Sequence, residues 1–130
     1  MYRCQTRGVE VVVLPQFMTD QSRPDEGHYF WAYTIEIVNQ SDMTVRLRSR
    51  HWIITDGNGV TNEVRGAGVV GEQPVLEPGA CFRYTSGCPL PTPSGIMYGY
   101  YTMVREDGTE FEVEIPAFSL DSPFTKRVIN

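Results

Sequence analysis

Short runs rich in β-branched and aromatic residues recur along this chain, and each is closed off by a cluster of Gly, Pro, Asn or Asp. That rhythm suits strands joined by turns, and it leaves almost nothing to read as helix. Seven strands are expected, at Gly8–Thr19, His28–Asn39, Thr44–Thr55, Val60–Val64, Ala80–Ser86, Gly95–Arg105 and Glu110–Ile115. The second alternates most plainly. Tyr29, Trp31, Tyr33, Ile35 and Ile37 fall on one face and Ala32, Thr34 and Glu36 on the other, so the first set is expected in the core. Asp56-Gly-Asn-Gly59, Glu106-Asp-Gly108 and Glu77-Pro-Gly79 read as turns, with glycine supplying a positive φ. Gln21–Gly27 reads as a polar loop. Cys88–Gly95, with prolines at 89, 91 and 93, reads as a loop between sheets, and the chain beyond Ile115 as extended. The pattern is that of an all-β sandwich or barrel.

At 130 residues, 41% apolar and 21% charged, the chain is expected to form one domain with a core of its own. The formal charge of −5 disfavours nucleic acid and anionic membrane surfaces as partners. No apolar run approaches the about 18 residues that span a bilayer, and Met1–Gly8 has no apolar signal region. Cys4, Cys81 and Cys88 are odd in number, which reads as reduced thiols. The expectation is a cytoplasmic chain, not inserted in a membrane and not itself a transporter.

The residues that go furthest are Arg50-His-Trp52, Asp56-Gly, Val64-Arg-Gly-Ala-Gly-Val-Val-Gly-Glu-Gln-Pro74 and Leu76-Glu-Pro-Gly79. With them go Tyr84-Thr-Ser86, Gly95-Ile-Met-Tyr-Gly-Tyr-Tyr101 and Phe111-Glu-Val-Glu-Ile-Pro-Ala-Phe118. On these the chain resembles the bacterial ApaG family over nearly its whole length, as a single domain spanning residues 1–130. The resemblance implies a seven-stranded immunoglobulin/fibronectin type III-like antiparallel β-sandwich. It also implies a link to cobalt and magnesium resistance and, from related eukaryotic domains, a protein-interaction module. No catalytic residues come with it.

By letter, Gly66-Ala-Gly68-Val-Val-Gly71 matches a dinucleotide-binding fingerprint. That motif needs a strand before it and a helix after it, and here Pro74 and Pro78 follow with no amphipathic pattern between. Three readings stand: a bulged crossover, a partner-binding loop, or an anion-binding nest of backbone amides. Arg46, Arg48 and Arg50 alternate with Val45, Leu47 and Ser49, which places three guanidinium groups on one strand face. Glu110, Glu112 and Glu114 do the same on the last strand. In a fibronectin-like sandwich these strands flank Gly95–Arg105 at about 9.6 Å, so the charges read as a surface ladder. The alternative is a binding face beside Trp52, Tyr98 and Tyr100.

His28, His51, the cysteines, Asp56 and Glu63 show no metal-ligand spacing, so neither a metal site nor a cofactor is expected. No Ser-His-Asp or Cys-His arrangement suggests catalysis. The expectation is a non-enzymatic binding module with a protein partner. Its candidate surface comprises Gly66, Gly68, Gly71, Arg46, Arg48, Arg50, His51, Trp52 and Arg65. The alternative is a phosphate-containing or nucleotide ligand, bound or hydrolysed at Gly66–Gly71 with Arg50, His51 and Arg65 supplying charge.

Overall fold

The computed structural model describes residues 1–124. Its strands are β1 (Tyr2–Thr6), β2 (Val9–Phe17), β3 (Tyr29–Asn39), β4 (Val45–Asp56), β5 (Thr61–Ala67), β6 (Val75–Leu76), β7 (Cys81–Leu90), β8 (Gly95–Arg105) and β9 (Glu110–Leu120). They form two antiparallel sheets, β1-β2-β3-β7 and β5-β4-β8-β9, with β6 paired to β4. The expected sandwich forms, with nine strands in place of seven. Setting β1 and β6 aside leaves the seven read from the sequence.

Both additional strands are short, and neither carries enough alternation to be seen in isolation. β1 exists because the turn at Arg7-Gly8, both at positive φ, folds Tyr2–Thr6 back onto β2. Gln21–Gly27 contains parts of two short 3-10 turns, Thr19–Gln21 and Pro24–Glu26. Of the expected loop Cys88–Gly95, residues 88–90 belong to β7 instead. The reason is position: β7 is the last strand of its sheet, and an edge strand tolerates a proline that cannot donate. Pro116 likewise sits in β9, at the edge of the other sheet, where the register with β8 shifts. The extended reading of the chain beyond Ile115 holds through Leu120; its last part, 125–130, lies outside the described residues.

The core fills the space between the sheets. Trp31, Tyr33, Ile35 and Ile37 of β3 are buried as the alternation demands, while Tyr29, at the strand end, is only partly covered. They face Leu47, Trp52, Met97, Tyr101, Met103, Val113, Ile115 and Phe118 of the opposite sheet. The three expected turns form, with Gly59, Gly79 and Gly108 at positive φ.

One lateral side of the sandwich is closed. β9 packs against β1 and β2, the Glu114 amide donates to Thr6 Oγ1 at 3.2 Å, and the Ser119 amide donates to the Tyr2 hydroxyl at 3.4 Å. The opposite side, between the edge strands β5 and β7, has a groove.

Asn39 fixes the connections between sheets. It is fully buried; its Nδ2 donates to the carbonyls of Met43 (2.8 Å) and Leu76 (2.9 Å), and its Oδ1 accepts from the Ser41 amide and hydroxyl. Every polar site of the side chain is used, so the β3–β4 turn and β6 are tied to one point. Asn39→Ala removes a donor from each of those carbonyls and the acceptor of the Ser41 amide, and is expected to cost about 2–4 kcal/mol, measured as a lowered urea midpoint with an unchanged slope.

Candidate functional site

The candidate residues lie on β4, β5 and the turn that follows, and a bulge in β4 decides where each points. The β4–β8 register runs from Leu47↔Met103 directly to Ser49↔Thr102, so Arg48 is the extra residue. Upstream of it Val45 and Leu47 face the core, and Arg46 and Arg48 face water. Downstream the phase reverses. Trp52 turns inward, 3% exposed, edge-to-face with Tyr33 (ring centroids 5.4 Å apart) and Phe118 (6.0 Å). Arg50 also turns inward and is half-buried. The three arginines therefore do not share a face, because strict alternation fails at the bulge.

On the outer face the ladder forms in part. Arg48 Nη1 meets Glu110 Oε2 at 2.9 Å, across the intervening strand β8. Both side chains are largely exposed, so the pair contributes about 0–1 kcal/mol. His51 faces the same side, with Nε2 2.8 Å from Glu63 Oε1; Arg65 Nη2 lies 3.7 Å from that carboxylate oxygen. His51 and Arg65 are register partners on the outer face, whereas Arg50 pairs with Gly66 on the inner one. The structure thus separates the arginine and histidine cluster proposed around a phosphate.

No helix follows the glycine run; Pro74 and the strand Val75–Leu76 do. The run ends β5 and makes a tight turn. Val69 and Glu72 exchange backbone hydrogen bonds at 2.8 and 2.9 Å, and the two residues between them, Val70 and Gly71, have φ of 43° and 80°. That is a type I′ hairpin turn, normally Asn-Gly, carrying a β-branched residue at its first central position. Val70 is 54% exposed, so burial does not explain its strained conformation. The Gly68 amide donates to the Arg48 carbonyl at 2.8 Å. The amides of Gly68, Val69 and Glu72 are therefore engaged within the fold. At Gly68 (φ 60°) a Cβ would lie 2.1 Å from the Glu72 carbonyl oxygen. Gly66 has ordinary φ, but a Cβ there would lie 2.9 Å from both Nη atoms of Arg50. The guanidinium rests against the bare Gly66 backbone.

Arg50 is held from a second direction: its Nη1 donates to the carbonyls of Gly68 (2.8 Å) and Ala67 (3.1 Å). Among the described residues no carboxylate pairs with it. Around it stand Tyr33, Trp52, Tyr84, Ser86, Val69 and Val70. From there a groove of about 330 Å³ runs between β5 and β7, past Trp52, Ile54, Val64, Cys88, Leu90 and Met97. Burial raises the Tyr33, Tyr84 and Tyr101 phenols above their ordinary range, and the charge of Arg50 pulls the other way. These phenols stay neutral, and Tyr84 and Tyr101 hydrogen-bond to each other. Burial also pushes the Cys88 thiol up to about 11, which keeps it uncharged and unreactive near neutral pH. Tyr33, Ser86 and the β7 wall are not among the candidate site residues that the sequence offers: Tyr33 reads as core, and Tyr84-Thr-Ser86 counts only toward the family resemblance.

The ApaG domain matches residues 19–105. The chain is 61% identical to Protein ApaG of Beijerinckia indica over 130 residues, covering all of both chains. It is similar to the crystal structure of the putative ApaA protein from Bordetella pertussis, with 51% identity and a TM-score of 0.87 over 90% of this chain and 95% of that one. A protein from Archaeoglobus fulgidus, 11% identical over 91% of this chain and 98% of that one, has a TM-score of 0.50 and shares the fold alone. The chain belongs to the ApaG family.

The turn geometry orders the glycines. Gly68→Ala, blocked by both φ and the Glu72 carbonyl, is expected to cost about 3 kcal/mol. Gly71→Ala, strained only in φ, should cost about 1 kcal/mol. Val70→Asn relieves strain and should gain about 1 kcal/mol. Thermal melts of the three variants check the order; a Val70→Asn protein that melts lower than wild type contradicts it.

Proposed function

We propose that this member of the ApaG family is an interaction module that acts in the cytoplasm by binding another protein, and that its working face is the open side between β5 and β7. One observation carries the reading. A half-buried guanidinium, held by backbone on two sides and paired with no carboxylate among the described residues, stands at the head of an aromatic and apolar groove. A desolvated charge left without a counter-charge is a cost that an internal salt bridge would relieve, and Arg flanked by aromatic residues is what binding hot spots are made of. The flanking strands favour the same side. Among the described residues nothing pairs with the outer edges of β5 and β7, and β5 is exposed along nearly all its length, with Val64 42% exposed. An extended segment of a partner can add to such an edge.

The resistance to cobalt and magnesium that the family resemblance implies is then a consequence of what the partner does. Among the described residues no three His, Cys, Asp or Glu side chains are grouped to hold an ion, and no helix is long and apolar enough to cross a membrane.

Photo-crosslinking residues at Val64 on β5 and Thr85 on β7, introduced one at a time in the native cell, are expected to give the same adduct. A crosslinker at Glu112, on the outer face of β9, should give none. Adducts formed from Glu112 and absent from both edge positions would move the interface to the charged face and overturn the reading.

A further inference from the structure

We propose that Arg50 and the groove beside it are a receptor for a carboxylate carried on an extended, apolar segment of a protein partner; this rests on reading the open side as the working face. The guanidinium supplies the first argument. Both hydrogens of Nη1 are directed to the Ala67 and Gly68 carbonyls, which leaves the N–H groups of Nε and Nη2 for a ligand. With Gly66 against it and two carbonyls fixing its plane, the fork is set before any ligand arrives, so little side-chain entropy is lost on binding. A planar acid matches two parallel N–H donors.

The choice between acids follows from what stands near. Neutral hydroxyls of Tyr33 and Ser86 line the same pocket, and among the described residues no second cation does. Arg48 is engaged with Glu110 and Arg65 lies beside Glu63, both on the outer face. One positive charge among neutral donors suits a monoanion, whereas a phosphate dianion calls for a second positive group. The remainder of the groove specifies what carries the acid. Trp52, Ile54, Val64, Leu90 and Met97 offer apolar surface leading away from Arg50, between two strand edges with backbone groups free to pair. An extended segment places an acid and apolar side chains alternately on one face, with backbone groups directed at those edges. The chain carries a net charge of −5, so long-range attraction does not bring the acid in; recognition comes from contact at Arg50.

Random heptapeptides displayed on phage and selected against the full chain test this. Selected sequences should place Asp or Glu among apolar residues. Their synthetic forms should shift the amide resonances of Val64, Gly66 and Ser86 and the Trp52 indole. Replacing the peptide's acid by its amide should weaken binding at least ten-fold, and Arg50→Gln should abolish it. Because Arg50→Gln also releases the Ala67 and Gly68 carbonyls, a second pair of variants keeps the test sound. Val64→Asp, at an exposed position on the groove wall, should repel the acid and weaken binding at least ten-fold, while Val64→Lys, which loses the same apolar contact but carries the opposite charge, should bind at least ten-fold more tightly than Val64→Asp. Failure to enrich peptides, or equal binding of acid and amide forms, overturns the proposal. So does inorganic phosphate moving these resonances where acidic peptides do not. A partner crosslinked from Val64 and Thr85 regardless of Arg50→Gln sinks the carboxylate receptor and leaves the open side standing as the interface. Absence of adducts from both edge positions sinks that interface reading instead.

Discussion

One extra residue in β4 governs how this sandwich is put together. A strand that alternated without interruption would carry Arg46, Arg48 and Arg50 on the water side and, still in step, Trp52 as well. The bulge at Arg48 reverses the phase, so that Trp52 closes the core against Tyr33 and Phe118 and Arg50 enters the space between the sheets. The indole and the guanidinium are thus placed by the same irregularity. The first contributes burial to the core, and the second puts a positive charge where the sheets part.

The two lateral sides of the sandwich have been finished differently. On one, β1 folds back along β2 and the amides of Glu114 and Ser119 in β9 donate to Thr6 and Tyr2, which covers the edges. On the other, β5 and β7 remain edges, and the space between them is lined by Trp52, Ile54, Val64 and Leu90. The prolines agree with this arrangement: Pro89 sits in edge strand β7, and Pro116 in edge strand β9. An open side flanked by two edges is where a further strand can be accepted without disturbing the core.

The glycine run serves that side sterically. Gly66 lets the guanidinium of Arg50 lie close to backbone, and Gly68 lets the chain pass the Glu72 carbonyl. Gly71 completes a turn whose other central residue, Val70, is held at positive φ on the rim of the Arg50 pocket. The spacing that resembles a nucleotide fingerprint is produced by a hairpin. The glycines are there because of what backbone and side chains must approach, with amides at Gly68, Val69 and Glu72 already engaged.

The sequence by itself determined seven of the nine described strands and their order along the chain. Period-two alternation in Tyr29–Ile37, the turn glycines at 59, 79 and 108, and the exposed stripe of Glu110, Glu112 and Glu114 are local patterns, and these survive without knowledge of the fold. Even the reach of Arg48 to Glu110 over β8 followed once the sandwich was assumed. What only the tertiary structure decided was phase and company. A bulge is one residue's departure from pairing with a distant strand, and nothing in Arg46–Trp52 announces it. The site around Arg50 also needs β7, whose Ser86 lies far along the chain and on the opposite sheet, and it needs the sheets to part on that side. Those are properties of packing between elements remote in sequence, so local composition and spacing do not contain them.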